Sequence, residues 1–168
     1  VEERAPGCRA RGLRLAADAF YRGPIDRRID AWSKANGGLI RYADLANHAT
    51  RIEEPASASY RGHVIYKCGV WTQGPALLEA LQLLEGFDLK GMTHNSPEAV
   101  HVTVEALKLA LADRDTHYAD PLFNEIPLQG LLDPSYAAAR RALIDLKHAS
   151  RERRPGDPRQ GAPLLPPA

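Results

Sequence analysis

Residues 96–111, SPEAVHVTVEALKLAL, form the stretch that most strongly determines the expected fold, because every feature of it is typical of a long helix. Ser96 can cap the first turn, and Pro97 lacks an N–H that the first turn would leave unbonded. The charge of Glu98 is favoured near the positive end of the helix dipole. Apolar side chains recur at helical spacing and predict the buried face: Val100, Val104, Leu107 and Leu111.

Three further helices are predicted from boundary residues and apolar spacing. They cover residues 24–35, residues 74–86, and residues 134 to about 148, the last capped by Asp133. Their predicted inward faces are Ile25, Ile29 and Trp32; Leu77, Leu81 and Leu84; and Ala139, Leu143 and Leu146. These segments predict a mainly helical α+β protein.

One strand is predicted over residues 60–67, where successive side chains alternate between two sets. The stretch around residues 51–54 is the pairing partner that the sequence suggests. Residues 1–18 have no clear period and are left unassigned. Residues 150–168 contain five prolines and two glycines and are expected to form a flexible linker or tail.

The composition is that of a chain that buries a core: 44% of the 168 residues are hydrophobic and 26% are charged. The formal net charge of +1 does not favour nucleic acid or an anionic membrane as the partner. No apolar run reaches the roughly 20 residues of a transmembrane helix. Cys8 and Cys68 are too few for a disulfide scaffold or a zinc site. The chain begins with Val1 instead of Met, which fits a processed or truncated piece.

Few residues suggest chemistry by themselves. His94 and His101 lack the spacing that places two metal-binding imidazoles on one helix face, so a surface or packing role is favoured over a metal site. The cluster at residues 113–115 could supply paired carboxylates, but an ion-pair or helix-end role is favoured. The sequence contains no nucleophile elbow, P-loop or dinucleotide-binding motif.

Several strings, taken in order along the chain, carry more information than any single motif. They are residues 19–23 (AFYRG), 37–40 (GGLI), 44–47 (DLAN), 60–62 (YRG), 71–75 (WTQGP), 84–88 (LEGFD), 105–114 (EALKLALADR) and 130–132 (GLL). Together they closely resemble consecutive segments of the gamma-glutamyltransferase (gamma-glutamyltranspeptidase) family. The resemblance covers residues 19–149 and corresponds to the C-terminal half of that family's large subunit.

The resemblance implies an N-terminal nucleophile hydrolase with a four-layer αββα sandwich, of which this chain would be a part. In that family a precursor cuts itself, and the Thr that begins the new small subunit attacks a gamma-glutamyl amide such as that of glutathione. The freed amine of the Thr can act as its base, and the acyl-enzyme passes to water or to an acceptor amine. The resemblance implies no cofactor. It places the nucleophile outside this chain, in a small-subunit partner, so no catalytic residue is assigned here.

Two local features are interpreted against this resemblance. The family's nucleophile is often followed by Thr-His, but Thr93-His94 precedes a helix that belongs to the large subunit and is therefore expected to lie in a loop. Trp71, Thr72 and Gln73 replace a Pro- and Ser-rich turn of many relatives and are candidates for a wall of the substrate channel. A helix-capping role for this turn is the favoured alternative.

Two other functions stay open. Relatives within the same superfamily hydrolyse other amides, such as cephalosporin side chains or oxamate. A non-catalytic helical fragment that binds a partner is the alternative from another class. The compartment also stays open, since both the periplasm and the cytoplasm of a bacterium fit.

Overall fold

Seven α-helices and one β-hairpin make up residues 8–159, the part of the chain that this computed structural model describes. In chain order they are α1 (Cys8–Tyr21), α2 (Pro24–Ala35), α3 (Tyr42–Ala46), β1 (Ala56–Tyr60), β2 (His63–Lys67), α4 (Gly74–Leu84), α5 (Pro97–His117), α6 (Leu128–Leu131) and α7 (Pro134–Arg141). The predicted mainly helical α+β class is confirmed. Among the helices described, none combines the length and the apolar character needed to cross a bilayer.

The chain divides into two units, the first extending to Ile52 and the second beginning at Glu53. The first unit contains α1, α2 and α3. Helix α1 covers part of the N-terminal segment that the sequence left unassigned, while residues 1–7 lie outside the described residues. Helix α3 begins where the backbone N–H of Arg41 donates to the Asp44 carboxylate at 2.7 Å, a contact typical of a helix N-terminus.

Helix α2 begins at Pro24, as predicted, and ends at Ala35. Its predicted inward face is wrong for Ile25 and Trp32, which are exposed, while Ile29 is half-buried. The buried positions are Asp26 and Ser33. Apolar spacing therefore located this helix but did not identify its covered side.

A two-residue turn joins β1 to β2 and divides the segment predicted as one strand, residues 60–67. Arg61 and Gly62 have φ values of 50° and 78°. Positive φ at both central residues is what a type I′ hairpin turn requires, and this turn matches the twist of the flanking strands. The single-strand prediction failed because the alternation of side chains continues through the turn.

The partner of β2 is β1, in antiparallel register, so the predicted pairing with residues 51–54 is wrong. Ala56 and Ala58 of β1 are buried against Leu78 of α4. The alternating Ala and Ser of this strand bury little apolar surface, which explains why its period is weak in the sequence. The hairpin covers one side of α4.

Helix α4 lies in the core of the second unit and is covered from several directions. Leu78 packs under the hairpin and Leu83 against α5, and both are fully buried. Of the predicted inward stripe, Leu84 is buried, Leu81 is half-buried and Leu77 is exposed. Full burial of a leucine contributes about 1.5–3 kcal/mol, so the α4 interior stabilises this unit substantially.

Helix α5 begins as predicted, with the Ser96 hydroxyl oxygen accepting a hydrogen bond from the Ala99 N–H at 3.3 Å. Its predicted buried face is wrong, because the four side chains on it expose 38–49% of their surface: Val100, Val104, Leu107 and Leu111. The buried residues of α5 are Val102, Glu105, Ala106, Leu109, Ala110, Ala112 and Asp113. Three of these are alanines, whose small side chains allow the backbones of α4 and α5 to approach closely.

Helix α7 begins at Pro134, and the Asp133 carboxylate accepts a hydrogen bond from the Ser135 N–H at 2.7 Å, as the predicted cap requires. The helix ends at Arg141, earlier than the predicted end near residue 148. Beyond it, the Asp145 carboxylate accepts hydrogen bonds from the N–H groups of Lys147 and His148, an arrangement that competes with the helix.

The buried side of α7 also differs from the prediction. Leu146 and Ala139 are exposed, and Leu143 is half-buried. Tyr136, Ala137 and Arg140 are buried instead. An arginine on the inward face cannot be recognised by apolar spacing, because only its buried acidic partner makes that position favourable.

Residues 150–159, called the strap below, pack against α5 and α7. Gly156 and Pro158 are buried, and the backbone of the strap exchanges hydrogen bonds with side chains of both helices. This packing differs from the flexible linker expected for residues 150–168, because prolines and glycines fit a close approach of backbone to helix as well as a mobile tail. Residues 160–168 of that prediction lie outside the described residues.

Candidate functional site

The turn predicted to line a substrate channel lies at the N-terminus of α4. The Thr72 hydroxyl oxygen accepts a hydrogen bond from the Gly74 N–H at 3.0 Å. This contact satisfies a backbone donor of the first turn and is a capping role. Trp71 exposes 60% of its surface, and its Nε1–H donates to the Glu53 carboxylate at 2.9 Å.

Gln73 connects this turn to the end of α5. Its Oε1 accepts a hydrogen bond from Nη1 of Arg114 at 2.9 Å, and the same guanidinium donates from Nε to Asp115 at 2.6 Å. Asp115 also pairs with Arg153 of the strap. The hydrogen bonds from Arg114 and Arg153 lower the pKa of Asp115 below its usual value. A continuous polar path therefore leads from the turn across α5 to the strap.

Asp113 lies at the centre of a buried polar cluster beneath this path. Its carboxylate accepts hydrogen bonds from the Tyr136 hydroxyl at 2.8 Å and from Nε and Nη2 of Arg140 at 3.1 Å each. It also accepts a bond from the Gly156 N–H of the strap at 2.6 Å. Four donors, two of them on the buried guanidinium of Arg140, therefore hydrogen-bond the Asp113 carboxylate.

Glu79 of α4 faces the same cluster but, unlike Asp113, receives no hydrogen bonds from the described residues. It is fully buried, and within residues 8–159 neither of its carboxyl oxygens has a hydrogen-bond donor. Burial raises the pKa of Glu79 well above its usual value of 4.5, and the adjacent Asp113 carboxylate raises it further. Two neighbouring carboxyl groups cannot both ionise at low cost, so the position of Glu79 beside Asp113 disfavours its ionised form.

Two tyrosines complete the cluster. Burial raises the pKa of both Tyr118 and Tyr136 above the usual range, with the Glu79 and Asp113 carboxyl groups adding to the effect. The Tyr118 hydroxyl and Nη1 of Arg140 are buried without a hydrogen-bond partner among the described residues. The cluster is thus a buried network of neutral phenols around one ion pair.

Glu105 lies two turns before Asp113 on α5 and forms a second buried anchor. Its Oε1 accepts hydrogen bonds from Nζ of Lys108 at 2.5 Å and from the Ser150 N–H at 3.2 Å. Its Oε2 accepts a bond from Nη2 of Arg154 at 3.3 Å. Both buried acids of α5 therefore contact the strap.

The described hydroxyl groups are not arranged as activated nucleophiles. Thr103 and Thr116 donate to backbone carbonyls of α5 at 2.7 and 2.9 Å. Thr93 lies exposed in the loop before α5, as predicted. Within residues 8–159, no Ser or Thr hydroxyl hydrogen-bonds a histidine ring; the histidine rings that form hydrogen bonds contact backbone carbonyls or Asp145.

No metal site forms among residues 8–159, since no three His, Cys, Asp or Glu side chains converge there. His94 is exposed, and Nε2 of His101 contacts the Asp145 carbonyl oxygen at 2.7 Å, in line with the favoured surface and packing roles. The ion-pair interpretation of the cluster at residues 113–115 is confirmed, because Asp113 pairs with Arg140 and Asp115 with Arg114.

Sequence reasoning missed Glu79, Glu105 and Arg140 as members of a buried cluster. A signal was present in α4, where Glu79 falls between the apolar positions Ala76 and Leu83 of one helix face. An acid within such a face indicates a buried partner, although not which residue supplies it.

Comparison with known proteins places these features in context. The sequence profile of the family described as gamma-glutamyltranspeptidase matches residues 11–163. The Acylase ACY 1 proenzyme of Pseudomonas sp. (strain SE83) is 41% identical over 83% of this chain and 26% of its own length. The glutathione hydrolase proenzyme of Pseudomonas sp. (strain A14) is 39% identical over 89% of this chain and 27% of its own length.

A solved structure has the same fold over most of the chain. The gamma-glutamyltranspeptidase of Helicobacter pylori superposes with a TM-score of 0.74 and 29% sequence identity, covering 82% of this chain and 40% of the solved chain. The present chain spans about a quarter of the length of the two proenzymes. The features described above therefore correspond to one segment of each of these relatives.

Proposed function

Because this chain belongs to the gamma-glutamyltranspeptidase family and covers its large-subunit region, we propose that it is the C-terminal half of the large subunit of an N-terminal nucleophile hydrolase. The whole enzyme hydrolyses gamma-glutamyl amides of the glutathione type or transfers their acyl group. The observation that carries the proposal is the family match over residues 11–163 together with its glutathione hydrolase relatives.

In the proposed reaction, the catalytic Thr belongs to a small subunit outside this chain. Its hydroxyl attacks the amide carbonyl while its own amine accepts the hydroxyl proton, and the leaving amine takes up a proton as the C–N bond breaks. Water or an acceptor amine then attacks the ester and releases the acyl group. This chemistry requires hydrogen-bond donors for the oxyanion and no cofactor.

The described residues fit a supporting role. Their threonines donate to backbone carbonyls or lie in exposed loops, which is consistent with a nucleophile supplied by another part of the enzyme. The chain covers 40% of the Helicobacter pylori chain but only about a quarter of the proenzymes. A larger share of the Helicobacter pylori chain is expected if that chain is one of two pieces cut from a longer precursor. The comparison therefore supports placing the present chain within the larger of the two pieces.

The exposed apolar face of α5 supports a partner as well. Val100, Val104, Leu107 and Leu111 form a continuous aliphatic stripe on the side of α5 opposite α4. Monomeric proteins rarely expose a large continuous apolar patch to solvent. We assign it to the contact with the remaining part of the enzyme, which the chain itself does not contain.

Two classes of amide are candidates for the substrate. Gamma-glutamyl amides are favoured by the glutathione hydrolase relatives, and the similarity to the cephalosporin acylase of Bacillus halodurans, which is 31% identical with a TM-score of 0.74, favours amides of the cephalosporin side-chain type as the second candidate. The test is mass spectrometry of the whole enzyme, quenched during turnover of each substrate. A small subunit carrying the gamma-glutamyl group on its first Thr is expected; turnover without an acylated Thr would overturn the mechanism.

The turn at residues 71–73 remains a proposed wall of the substrate channel. Gln73 is exposed and reaches Arg114, so its loss would remove a polar group beside α4 without opening the core. In the whole enzyme, Gln73→Ala is expected to raise KM for amide substrates several-fold with kcat little changed, whereas the exposed Gln129→Ala serves as control. Unaltered KM values for several amides would remove the channel role.

A further inference from the structure

The strap is held at two points by the two buried acids of α5. At the first point, Glu105 accepts hydrogen bonds from the Ser150 N–H at 3.2 Å and from Nη2 of Arg154 at 3.3 Å. Lys108 donates to Glu105 and also to the Ser150 carbonyl oxygen, so one side of α5 engages both backbone groups of the same strap residue. These contacts fix the beginning of the strap against α5.

The second point lies two turns further along α5. The Asp113 carboxylate accepts from the Gly156 N–H at 2.6 Å, and Nε2 of His117 lies 2.8 Å from the Gly156 carbonyl oxygen. Arg140 donates to Asp113 and also to the Arg154 carbonyl oxygen. Since the Asp113–Arg140 pair is fully buried, the strap is tied to the interior of the second unit.

Close packing leaves the strap little freedom at the second point. A Cβ atom added to Gly156 would lie 2.2 Å from the Tyr136 hydroxyl oxygen and 2.9 Å from Cδ of Arg140. Near the end of the strap, a Cβ on Gly130 would lie 2.5 Å from the Pro158 carbonyl oxygen. At both Gly156 and Gly130, neighbouring atoms leave no room for a side chain, so only glycine fits.

We propose that Glu105 and Asp113 are positioning residues for the maturation of the enzyme: together they hold the strap so that the chain beyond it reaches the site of self-cleavage in one orientation. This proposal rests on the proposed function, in which a peptide bond C-terminal to the strap is hydrolysed. That step consumes one water molecule and leaves a carboxylate on the large subunit and the free amine of the catalytic Thr on the small one.

The physical reason is the geometric demand of an intramolecular attack. The Thr hydroxyl has to approach the preceding carbonyl within about 3–3.5 Å, and a misplacement of about 1 Å can slow such a reaction about 100-fold. A Pro- and Gly-rich segment without anchors would leave that approach to chance. Anchoring to two buried carboxylates removes this freedom between residues 150 and 156.

The test follows the cutting of the whole precursor over time by intact mass spectrometry. Gly156→Ala keeps the side chains of Asp113 and Arg140 but adds a methyl group that crowds Tyr136 and Arg140 and so displaces the strap, and it is expected to slow cutting about 10- to 100-fold. Ser150→Ala is the matched control within the strap, because that hydroxyl oxygen accepts only from the Glu152 N–H while the backbone of Ser150 makes the anchoring contacts. The control should cut within about twofold of the wild-type rate.

A second readout separates positioning from general damage. Molecules of Gly156→Ala that have been cut should turn over a gamma-glutamyl amide at the wild-type rate, since the strap acts before the cut. If Gly156→Ala fails to fold, Glu105→Gln, which weakens the first point only, is expected to slow cutting several-fold. Wild-type cutting rates in these folded variants would overturn the inference alone, whereas a wild-type precursor that never cuts would overturn the proposed function and this inference with it.

Discussion

Glu79 and Asp113 lie side by side in the core, yet their surroundings give them different charge states. Asp113 receives four hydrogen bonds and pairs with Arg140, so its charge is compensated. Glu79 receives none within residues 8–159 and carries a raised pKa because burial disfavours its charged form. Because burial disfavours the charged form of Glu79, its ionisation makes the stability of this unit depend on pH.

The sign of that dependence follows from the raised pKa of Glu79. Near pH 4 the folded and the unfolded chain both bind its proton, but at higher pH the unfolded chain releases the proton first. The free energy of unfolding should fall as the pH rises from about 4.5 until the pH passes the raised pKa. Glu79→Gln cannot ionise and keeps nearly the same size and shape, so it should lack this decrease.

The measurement is the free energy of unfolding of this chain and of Glu79→Gln by denaturant titration at several pH values. The difference between the two is expected to be small near pH 4 and to grow in favour of the variant towards pH 8. All other titrating groups are common to both proteins, so the difference isolates Glu79 together with Asp113, the carboxyl group beside it. A difference that does not change with pH would show that Glu79 is ionised in the folded state.

Residue-level roles were partly predictable. The caps at Ser96 and Asp133 were recognised because their contacts are local in sequence. Glu79 and Arg140 were not recognised, because the partners that make their burial favourable lie on other helices far along the chain. Contacts between residues that are close in sequence can be predicted from the sequence. The pairing of buried charged groups that lie far apart in the sequence cannot.

At the scale of elements, α5 shows why spacing alone can select the wrong face. The helix is apolar on two sides: small residues and two acids face α4 and the strap, while larger aliphatic residues form the exposed stripe. Apolar periodicity favours the side with the larger side chains. In the proposed enzyme that side is also covered, but by a part of the protein outside this chain.

Leu107 and Leu109 allow a matched test on one helix, since they expose 39% and 1% of their surface. Leu109→Ala should lower the free energy of unfolding of this chain by about 2–5 kcal/mol, because it leaves a cavity between α4 and α5. Leu107→Ala should cost no more than about 1 kcal/mol. Chemical denaturation of both variants checks the difference, and equal losses would mean that the two faces of α5 are covered alike.

Leu107 also tests the proposed contact between α5 and the remaining part of the enzyme. In the whole enzyme, Leu107→Ala should become more costly than in this chain, because the stripe is then buried against the remaining part of the protein. A cost that stays the same in both contexts would exclude the stripe from that contact.

At the scale of the whole molecule, the order of short strings along the sequence was the informative signal. It indicated the family that the comparisons confirm, and with it the fold class. The turns at element boundaries were also predictable from Gly and Pro. The course of the strap was not, because its path depends on Glu105 and Asp113, which belong to another element.

In the proposed enzyme, this chain supplies the scaffold of an amide hydrolase and not its nucleophile. The most direct measurement is the release of amine from a gamma-glutamyl amide by the 168-residue chain alone and by the same chain produced together with the remaining part of the enzyme. The chain alone is expected to give the uncatalysed rate, and the assembled enzyme a rate that disappears when the first Thr of the small subunit is replaced by Ala. Sustained hydrolysis by the purified chain alone would contradict the account.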